Sequence, residues 1–231
     1  MDVKDRWARG AAALPTEERF NRELPFWRRL TSELGWRVVV DAGCGAGFHV
    51  KLLRSLDIAV TGFDFSLTSL LAGERHGVAV GDLLAPPLAT RTDAVICLGN
   101  TMSLLPSRAA QRQALAALAA VLKPGGALLL QGEAAAAIVA SSPIVRTRLL
   151  ADGRVHVRAF ERRGARVRML AGVVAPGKEA PLEQAWMLPT APAALTRLAR
   201  PLGLRSAPLP VSPPGAGPTW WLLLHLQASS A

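Results

Sequence analysis

The sequence predicts an α/β protein built around a parallel sheet, and three observations lead to this prediction. From Trp36 to Gln131, short apolar runs rich in β-branched residues alternate with segments of helical periodicity, which is typical of βα units. Half of the 231 residues are apolar, which excludes a disordered chain. After Glu133 the pattern changes to alternation at period two, which indicates an antiparallel hairpin placed late in the chain.

The length and composition predict a single domain, residues 1–231, in a reducing compartment. Cys44 and Cys97 are too few for a disulfide framework and lack the spacing of metal ligands. The charged N-terminal stretch has no apolar centre like that of a signal peptide, and no apolar run approaches the ~20 residues that a bilayer requires. We therefore expect a cytoplasmic protein with no membrane partner and no bound metal.

The core, residues 36–133, is predicted from its strands and helix caps. Three consecutive valines make Arg37–Ala42 a strand buried on both faces, and a helix begins near Ala46. Ser66 can cap the next helix, and Ser107 opens an Ala-rich helix that ends in Lys-Pro-Gly-Gly. The other four strands are predicted at Ile58–Phe63, Gly77–Val80, Asp93–Leu98 and Ala127–Gln131.

The segments on either side of this core are predicted to close over it. Residues 1–35 carry an amphipathic lead, Thr16–Leu34, which is interrupted at Pro25 and which we expect to act as a helical lid over a ligand site. The candidate apolar contacts of the lid, which ordinary core packing would use equally well, are Trp7, Phe20 and Trp27. Residues 134–231 comprise hairpin arms at 154–160 and 165–174, a last helix at Ala191–Leu202 and a closing strand at Thr219–Leu226.

Positive charge is concentrated in the last part of the chain. The net charge is +10, of which residues 1–133 contribute +2 and residues 134–231 contribute +8, with eight arginines between Arg146 and Arg168. This balance is compatible with nucleic-acid binding, although a solvated arginine face explains it as well. Any anionic partner is therefore expected at the arginine-rich segment.

The segment VVVDAGCGAG, residues 38–47, places Gly43, Gly45 and Gly47 where a buried strand meets a helix. Glycines let the backbone approach a ligand closely, and free amide groups at a helix start bind its polar atoms. In an open α/β sheet the ligand pocket lies beyond the carboxyl ends of the strands. A tight turn without a ligand is the alternative for this segment taken alone.

Carboxylates follow the next two strands. Asp64 stands just past the second strand and can accept both hydroxyls of a ribose, while Asp82 ends the third strand and can bind an adenine amino group. A helix-capping role for Asp64 and a strand-ending role for Asp82 are the alternatives. The GxGxG spacing, with Asp41 inside the first strand's end, departs from the GxGxxG of NAD-binding domains. Three adjacent strand ends thus predict a nucleoside site that is not an NAD site.

Five ordered motifs now resemble those of the class I S-adenosylmethionine-dependent methyltransferases: VVVDAGCGAG, GFDFS, GDLLAPPL, TDAVICLGNT and LKPGGALLL. The resemblance covers residues 36–131. It implies a Rossmann-like, doubly wound, seven-stranded sheet with S-adenosylmethionine across the carboxyl ends of its first four strands. It also implies that Gly43, Gly45 and Gly47 wrap the methionine part, that Asp41 faces its amino group, that Asp64 and Phe65 hold the ribose and flank adenine, that Asp82 and Leu83 take the adenine edge, and that Leu98, Gly99 and Asn100 lie near the methyl group.

The segments CLGNTMS and LLLQGE and the hairpin after them resemble a small-molecule branch of that superfamily, the glycine and sarcosine N-methyltransferases. This resemblance implies transfer of a methyl group to a nitrogen or oxygen of a small molecule. The chain has Gly132-Glu133 where those enzymes commonly have Asn-Tyr, and it has no tyrosine, so the particular acceptor stays open. An Asn-Pro-Pro-aromatic or Asp-Pro-Pro-aromatic tetrapeptide is absent after the fourth strand, which makes nucleic acid the second choice.

Methyl transfer from a sulfonium depends mainly on aligning the nucleophile, the methyl carbon and the sulfur, so a strong base is not essential. Glu133 and His49 are the candidate catalytic residues, and His156 is a further candidate base for a hydroxyl acceptor; packing or simple exposure would explain the histidines as well. We expect one arginine face on the hairpin that binds an anionic group of the acceptor. Its members are Arg154, Arg158, Arg166 and Arg168, with Arg158 and Arg166 as the substrate-binding pair.

Two other functions stay open at this point. An RNA- or protein-directed methyltransferase would dock through the basic C-terminal portion, with binding that weakens steeply as salt increases. A non-catalytic subunit would bind S-adenosylmethionine without forming a methylated product. A homo-oligomer is compatible with either function and with the small-molecule enzyme.

Overall fold

A computed structural model describes residues 16–74, 76–88, 91–133, 143–150, 152–175, 177, 182–214 and 219–228. The strands are β1 (Val38–Ala42), β2 (Ala59–Asp64), β3 (Val78–Val80), β4 (Thr92–Cys97), β5 (Leu122–Glu133), β6 (Ile144–Leu149), β7 (Val155–Arg163), β8 (Arg166–Val174), β9 (Glu183–Met187), β10 (Leu204–Ala207) and β11 (Thr219–Leu226). The helices are α1 (Thr16–Glu33), α2 (Phe48–Arg54), α3 (Leu67–Leu71), α4 (Arg108–Ala120) and α5 (Pro192–Ala199), with 3₁₀ turns at Thr101–Leu104 and Arg200–Leu202.

Seven strands form the main sheet in the order β10-β11-β5-β4-β1-β2-β3. The pairings among strands β1 to β5 are all parallel, whereas β11 is antiparallel to both β5 and β10. The chain leaves β1 in one direction for β2 and β3 and later returns to its other side for β4 and β5. The carboxyl ends of β1 and β4 therefore flank a topological switch point, where α/β sheets bind ligands. The predicted doubly wound, seven-stranded sheet is confirmed.

The main sheet is covered on both faces, as the valine run predicted. Val39 packs into an apolar cluster with α1 and α2, whereas its neighbour Val40 packs into a second cluster with α4 and α5. Successive side chains of a strand point to opposite faces, so one strand serves both layers. No helix of the described residues is long and apolar enough to cross a membrane.

Helix α1 is continuous, so the predicted interruption at Pro25 is wrong. A proline inside a helix removes one hydrogen bond and costs about 3 kcal/mol. Trp27 and Leu30, which follow within two turns, are completely buried against the main sheet, and burial of such side chains offsets that cost. The second half of α1 is therefore packed into the core, and the lid role of the N-terminal segment stays a prediction. Trp7 lies outside the described residues.

Strand β5 begins at Leu122, five residues before the predicted start. Leu122 pairs with Thr92 and Ala127 pairs with Ala94, so the Lys-Pro-Gly-Gly segment between them bulges out opposite Asp93. The carboxylate of Asp93 explains why the bulge is kept. One of its oxygens lies 2.6 Å from Lys123 Nζ, while the other accepts hydrogen bonds from the start of β1.

The predicted hairpin is the centre of a second sheet, with the order β6-β7-β8-β9 and antiparallel pairing throughout. Its register contradicts the single arginine face. Arg158 is opposite Ala171, whereas Glu161, three positions further along the same strand, is opposite Arg168. Side chains alternate along a strand, so Arg158 lies on one face and Arg166 and Arg168 lie on the other. The sequence pattern does not show which residues of the two arms are paired across the turn. It therefore could not show which arginines share a face.

Candidate active site

A large pocket runs along the carboxyl ends of β1, β2, β4 and β5 and extends under α1 and β9. The structure brings most of the predicted residues together in its wall. Those that line it are Asp41, Gly43, Gly45, Gly47, His49, Asp64, Phe65, Asp82, Leu83, Leu98 and Gly99. The predicted catalytic, cofactor-binding and substrate-binding residues that do not line it are Asn100, Glu133, Arg154, His156, Arg158, Arg166 and Arg168.

The glycine loop needs glycine for two different reasons. Gly43, Gly45 and Gly47 all have φ between 55° and 78°, the left-handed region that disfavours other residues. A Cβ at Gly43 would lie 2.6 Å from Thr101 Cγ2, so that position is also closely packed. A Cβ at Gly45 would meet no atom within 4 Å, because this residue faces the open pocket. Gly45 therefore forms a cradle in which a ligand can contact the backbone.

Asp41 is the most unusual group in the pocket wall. Its side chain belongs to a residue that is only 2% exposed, and its Oδ2 has no hydrogen-bond partner. Burial raises its pKa, and the negative charge of Asp64 raises it further, to about 7, against an opposing effect of Arg19. A buried polar atom without a partner is rare and costly, and a titrating carboxylate in a cleft is typical of a ligand site. The arrangement fits a cationic group of a ligand.

Asp64 and Asp82 organise the two loops on either side of the β2 and β3 ends. Asp64 Oδ2 accepts a hydrogen bond from Gly45 N at 2.8 Å, and its Oδ1 accepts one from Ser66 N at 2.8 Å. Asp82 Oδ1 accepts one from Leu84 N at 2.9 Å. Each carboxylate oxygen has two lone pairs, so both residues keep acceptor capacity toward the pocket. The capping role and the binding role, which the sequence posed as alternatives, are compatible.

Helix α1 supplies one wall of the pocket and holds His49. The Nε2 of His49 lies 3.2 Å from Glu23 Oε2, and the imidazole packs edge-to-face against Trp27. Burial lowers the pKa of His49, against the opposing hydrogen bond to Glu23. Burial alone would raise the pKa of Glu23, but its contacts with His49 and Arg19 lower it to about 2. We therefore assign Glu23 as the anion and His49 as a neutral hydrogen-bond donor. This hydrogen bond connects the glycine loop, which His49 follows, to helix α1.

Asn100 and Glu133 form a junction behind the pocket. Asn100 has φ +70°, and its Oδ1 accepts a hydrogen bond from Glu133 N at 2.6 Å. Glu133 Oε1 lies 3.1 Å from Arg146 Nη1 and 3.6 Å from Arg158 Nη1, while its buried Oε2 has no partner. Glu133 is thus paired with the second sheet and does not line the pocket.

The remaining candidates of the second sheet do not line the pocket either, although Arg166 contacts a residue that does. Arg166 Nη2 donates to Pro106 O at 2.7 Å, which attaches β8 to the segment after the 3₁₀ turn. Burial lowers the pKa of Arg158, partly offset by Glu133. Burial also lowers the pKa of His156, as do the neighbouring charges of Arg158 and Arg148. A substrate role for Arg158 and Arg166 stays a prediction.

The pocket contains residues that the sequence analysis did not select. On the side toward β5 and β9 these are Leu104, Leu105, Pro106, Gln131, Gln184, Ala185, Trp186, Pro214, Thr219 and Trp221. Trp221 lines the pocket and also contacts Phe26 and Trp27 at centroid distances of 5.3 and 6.2 Å. Strand β9 has only five residues, which is too short for a clear pattern in the sequence. It reaches the pocket because it pairs with β8, and a local sequence pattern does not reveal such a pairing.

Comparisons with known proteins agree with this geometry. Residues 39–126 match a family described as "Methyltransferase domain". The chain is 34% identical over 139 residues to a glycine/sarcosine N-methyltransferase of Parasynechococcus marenigrum (strain WH8102), a match that covers 56% of this chain and 48% of that protein. The chain thus spans about half the length of the curated relatives that it matches.

Solved structures of similar fold cover nearly the whole chain. The CcbJ methyltransferase of Streptomyces caelestis has a TM-score of 0.73 and 20% identity, with 87% of this chain and 88% of that one covered. The sugar N-methyltransferase KedS8 of Streptoalloteichus sp ATCC 53650 has a TM-score of 0.73 and 21% identity, with 91% and 88% covered. At these identities the likeness concerns the fold alone.

Proposed function

We propose that this chain is a class I S-adenosylmethionine-dependent methyltransferase and that it transfers a methyl group from S-adenosylmethionine to a small molecule; the match of residues 39–126 to a methyltransferase domain supports this. The acceptor atom is a nitrogen or an oxygen, and we favour nitrogen. The observation that carries the proposal is Asp41, a buried carboxylate whose Oδ2 has no partner and which lines the pocket beside a glycine cradle. An amino-acid ammonium is the partner that this oxygen lacks.

The residues around Asp41 fit the other parts of the same cofactor. Gly45 leaves room for backbone contact with the methionine part, and Asp64 retains acceptor capacity for ribose hydroxyls. Phe65 is 52% exposed and lines the pocket where a purine ring would lie, with Leu83 on the same wall. When bound, the cofactor supplies an activated methyl group. The protein then has to align the acceptor with it and exclude water.

Nitrogen is favoured because two of the predicted bases, His49 and Glu133, are already engaged, and the third, His156, does not line the pocket. His49 is hydrogen-bonded to Glu23, and Glu133 is paired with Arg146 and Arg158. An amine needs only to arrive unprotonated, whereas a hydroxyl benefits from a free base. The relatives named as glycine/sarcosine and sugar N-methyltransferases are consistent with this choice. Nucleic acid or protein acceptors have no comparable support from the described pocket.

Two measurements test the proposal in sequence. Calorimetry with S-adenosylhomocysteine measures the cofactor site, and we expect binding to the wild type that weakens about tenfold or more in Asp64→Ala, because ribose hydroxyls lose a charged acceptor. Labelled S-adenosylmethionine is then incubated with the protein and fractionated cell extract. Label in small molecules supports the proposal, whereas label in RNA or protein, or no binding in the first experiment, contradicts it.

A further inference from the structure

The two faces of the second sheet differ in what they contact. The inner face carries an apolar cluster whose buried members are at most 3% exposed: Phe160, Val167, Met169 and Met187. The outer face carries the side chains that alternate with these along the strands, such as Val145, Leu149, Val157 and Trp186. Among the described residues of the outer face, only Gly172 is buried. One face of this sheet is therefore packed, whereas the other is open.

Apolar residues are contiguous on the outer face. Val145, Ala159 and Leu170 form a row across β6, β7 and β8, and Leu149 lies opposite Val155 at the end of β6. Val145 is 62% exposed and Leu149 is 72% exposed, and neither lines the pocket. An antiparallel sheet that faces water normally has polar side chains on its open face, and contiguous exposed apolar surface marks an interaction site. The outer face therefore has the composition of a contact surface.

The charged residues of the outer face lie together at the end next to the β7–β8 turn. Glu161 is opposite Arg168, and Arg163 is opposite Arg166. Glu161 forms ion pairs at 2.6 Å with both Arg163 and Arg168, so this end has three arginines and one carboxylate. The other end, at the β6–β7 turn, has the exposed Asp152, which is paired with a neighbouring arginine. The outer face thus has an apolar centre and only one basic end.

The outer face is large enough for a dimer of modest affinity. Neighbouring strands lie about 4.8 Å apart, and each residue extends about 3.4 Å along its strand. The strands β6 to β9 have six, nine, nine and five residues, so they span roughly 470 Å² of flat area. Two such faces together bury on the order of 1,000 Å², which is the lower limit for a specific interface. An interface of this size predicts a dissociation constant on the order of 10 µM.

We infer that the outer face binds the outer face of a second copy of this chain, so that the two sheets pack as a sandwich. Two antiparallel sheets with apolar faces pack about 10 Å apart in this way, and a two-fold dimer requires one self-complementary patch. A two-fold axis that runs across the strands places the basic end of each copy over the β6–β7 turn of the other, near its Asp152. An axis along the strands would instead bring the two basic ends together, which like charges oppose. A nucleic acid would contact the basic end and would leave the apolar centre uncovered.

Sedimentation velocity of the full chain between about 1 and 200 µM tests this contact. The wild type should change across this range from its monomer mass of 24.5 kDa toward twice that mass. Leu149→Lys and, separately, Val145→Lys should each raise the dissociation constant about tenfold or more, because the interface would desolvate the new ammonium group. Both positions are exposed in the monomer, so the variants should fold, and a melting curve of each checks this.

Val80→Lys is the matched control. Val80 is 54% exposed on β3, an edge strand of the main sheet, and it does not line the pocket. This variant should dimerise as the wild type does. A wild type that stays monomeric at about 200 µM, or folded lysine variants of β6 that dimerise like the wild type, would overturn the inference. Binding of the monomer to RNA or anionic vesicles that both β6 variants lose would also overturn it, because the face would then serve another partner. These outcomes do not depend on S-adenosylhomocysteine, so they leave the proposed function to its own test.

Discussion

The two ends of the pocket differ in how their charges are satisfied. At the cofactor end the carboxylates are in excess, and Asp41 keeps an oxygen without a partner. The acceptor end is the side of the pocket toward β5 and β9. In the second sheet, which lies beside this end, the arginines are in excess, but most of them are paired with carboxylates within the protein. Six of the eight arginines between residues 146 and 168 form ion pairs, namely Arg146, Arg148, Arg154, Arg158, Arg163 and Arg168.

This contrast teaches that an unsatisfied group is a better guide to a ligand than the sign or density of charge. The arginine-rich segment drew attention in the sequence because it holds most of the net charge. Its partners include Glu133, Glu161 and Asp152, which lie outside the pocket lining. Glu133 Oε2 and Arg168 Nε are also buried without a hydrogen-bond partner, but of these three residues only Asp41 lines the pocket. Asp41 therefore carries more functional information, because a ligand in the pocket can compensate for the cost of its burial.

The largest expected effect comes from Asp41→Asn. We expect the affinity for S-adenosylhomocysteine to fall on the order of a hundredfold, because the ligand ammonium loses its buried charged partner. Thermal unfolding should show unchanged or slightly greater stability, since an unpartnered buried carboxylate is removed. Calorimetry and a melting curve on the same sample check both statements. Unchanged affinity would show that the two ends of the pocket do not differ as we describe.

The pH dependence of the same site provides a second test. The pKa of Asp41 is about 7 in the folded protein against 3.8 when unperturbed, mainly because of burial. Below pH 7 the carboxyl must lose a proton to bind an ammonium, so the affinity for S-adenosylhomocysteine should fall by up to about tenfold per pH unit. In Asp41→Asn this dependence should disappear.

The stability of the ligand-free protein should change in the opposite direction. Between about pH 4 and pH 7 the folded state binds more protons at Asp41 than the unfolded state does, so this group makes stability decrease as pH rises, with no further change above 7. Glu23, with its pKa lowered to about 2, acts below pH 4.5, where its contribution is lost as pH falls. Chemical denaturation across pH 4–8, wild type against Asp41→Asn, separates the two. A wild-type curve parallel to that of the variant would contradict the raised pKa.

Two glycines with similar backbone conformations allow the effect of a substitution on stability to be distinguished from its effect on ligand binding. Gly45 in the glycine loop has φ +55° and Gly164 in the β7–β8 turn has φ +60°, and a Cβ would meet nothing within 4 Å at either. Alanine at either position should cost about 1–2 kcal/mol of unfolding free energy from left-handed strain. Only Gly45→Ala should also weaken S-adenosylhomocysteine binding, by about tenfold, because its methyl group enters the cradle. Equal affinities in the two variants would remove the cradle from the site.

Most of the cofactor end could be predicted from the sequence, because its residues lie in short motifs that directly follow predicted strands. Asp41, the glycines and Asp64 lie at strand ends, and parallel strands bring such ends together whatever the details of the sheet. The acceptor end could not be predicted in the same way. Trp186 reaches the pocket through β9, whose position depends on the pairing of four strands and on a hydrogen bond from Leu188 to Ser103.

The differences between the expectations from sequence and the structure have the same origin. Pro25 indicates a break when read locally, but the burial of Trp27 and Leu30 keeps the helix intact. Glu133 was selected for its place after β5, yet its side chain is committed to arginines more than ten residues away in the sequence. Asn100 was predicted to contact the cofactor, which stays a prediction, and its amide oxygen supports the backbone of β5. In each case the contact that the structure shows joins residues far apart in the sequence.

A smaller effect is expected from two arginines of the second sheet. Arg158→Gln leaves the buried Glu133 with one cationic partner and should lower the unfolding free energy by about 1–2 kcal/mol. Arg166→Gln loses one hydrogen bond at an exposed position and should cost less than about 1 kcal/mol. Neither should change S-adenosylhomocysteine affinity. Once an acceptor is identified, a raised KM in either variant would support the predicted anionic group, and an unchanged KM in both would dismiss it.

The smallest effect concerns the contact between the second sheet and α1. Arg148 Nη2 lies 2.7 Å from Glu18 Oε2, with the two side chains 40% and 64% exposed. Exposed ion pairs contribute about 0.2–1 kcal/mol and are screened by salt. A double-mutant cycle with Arg148→Ala and Glu18→Ala should therefore give a coupling energy in that range that vanishes in about 1 M salt. A larger, salt-insensitive coupling would mean that this pair closes the pocket between its two walls, and the acceptor end would then depend on α1 as much as the cofactor end does.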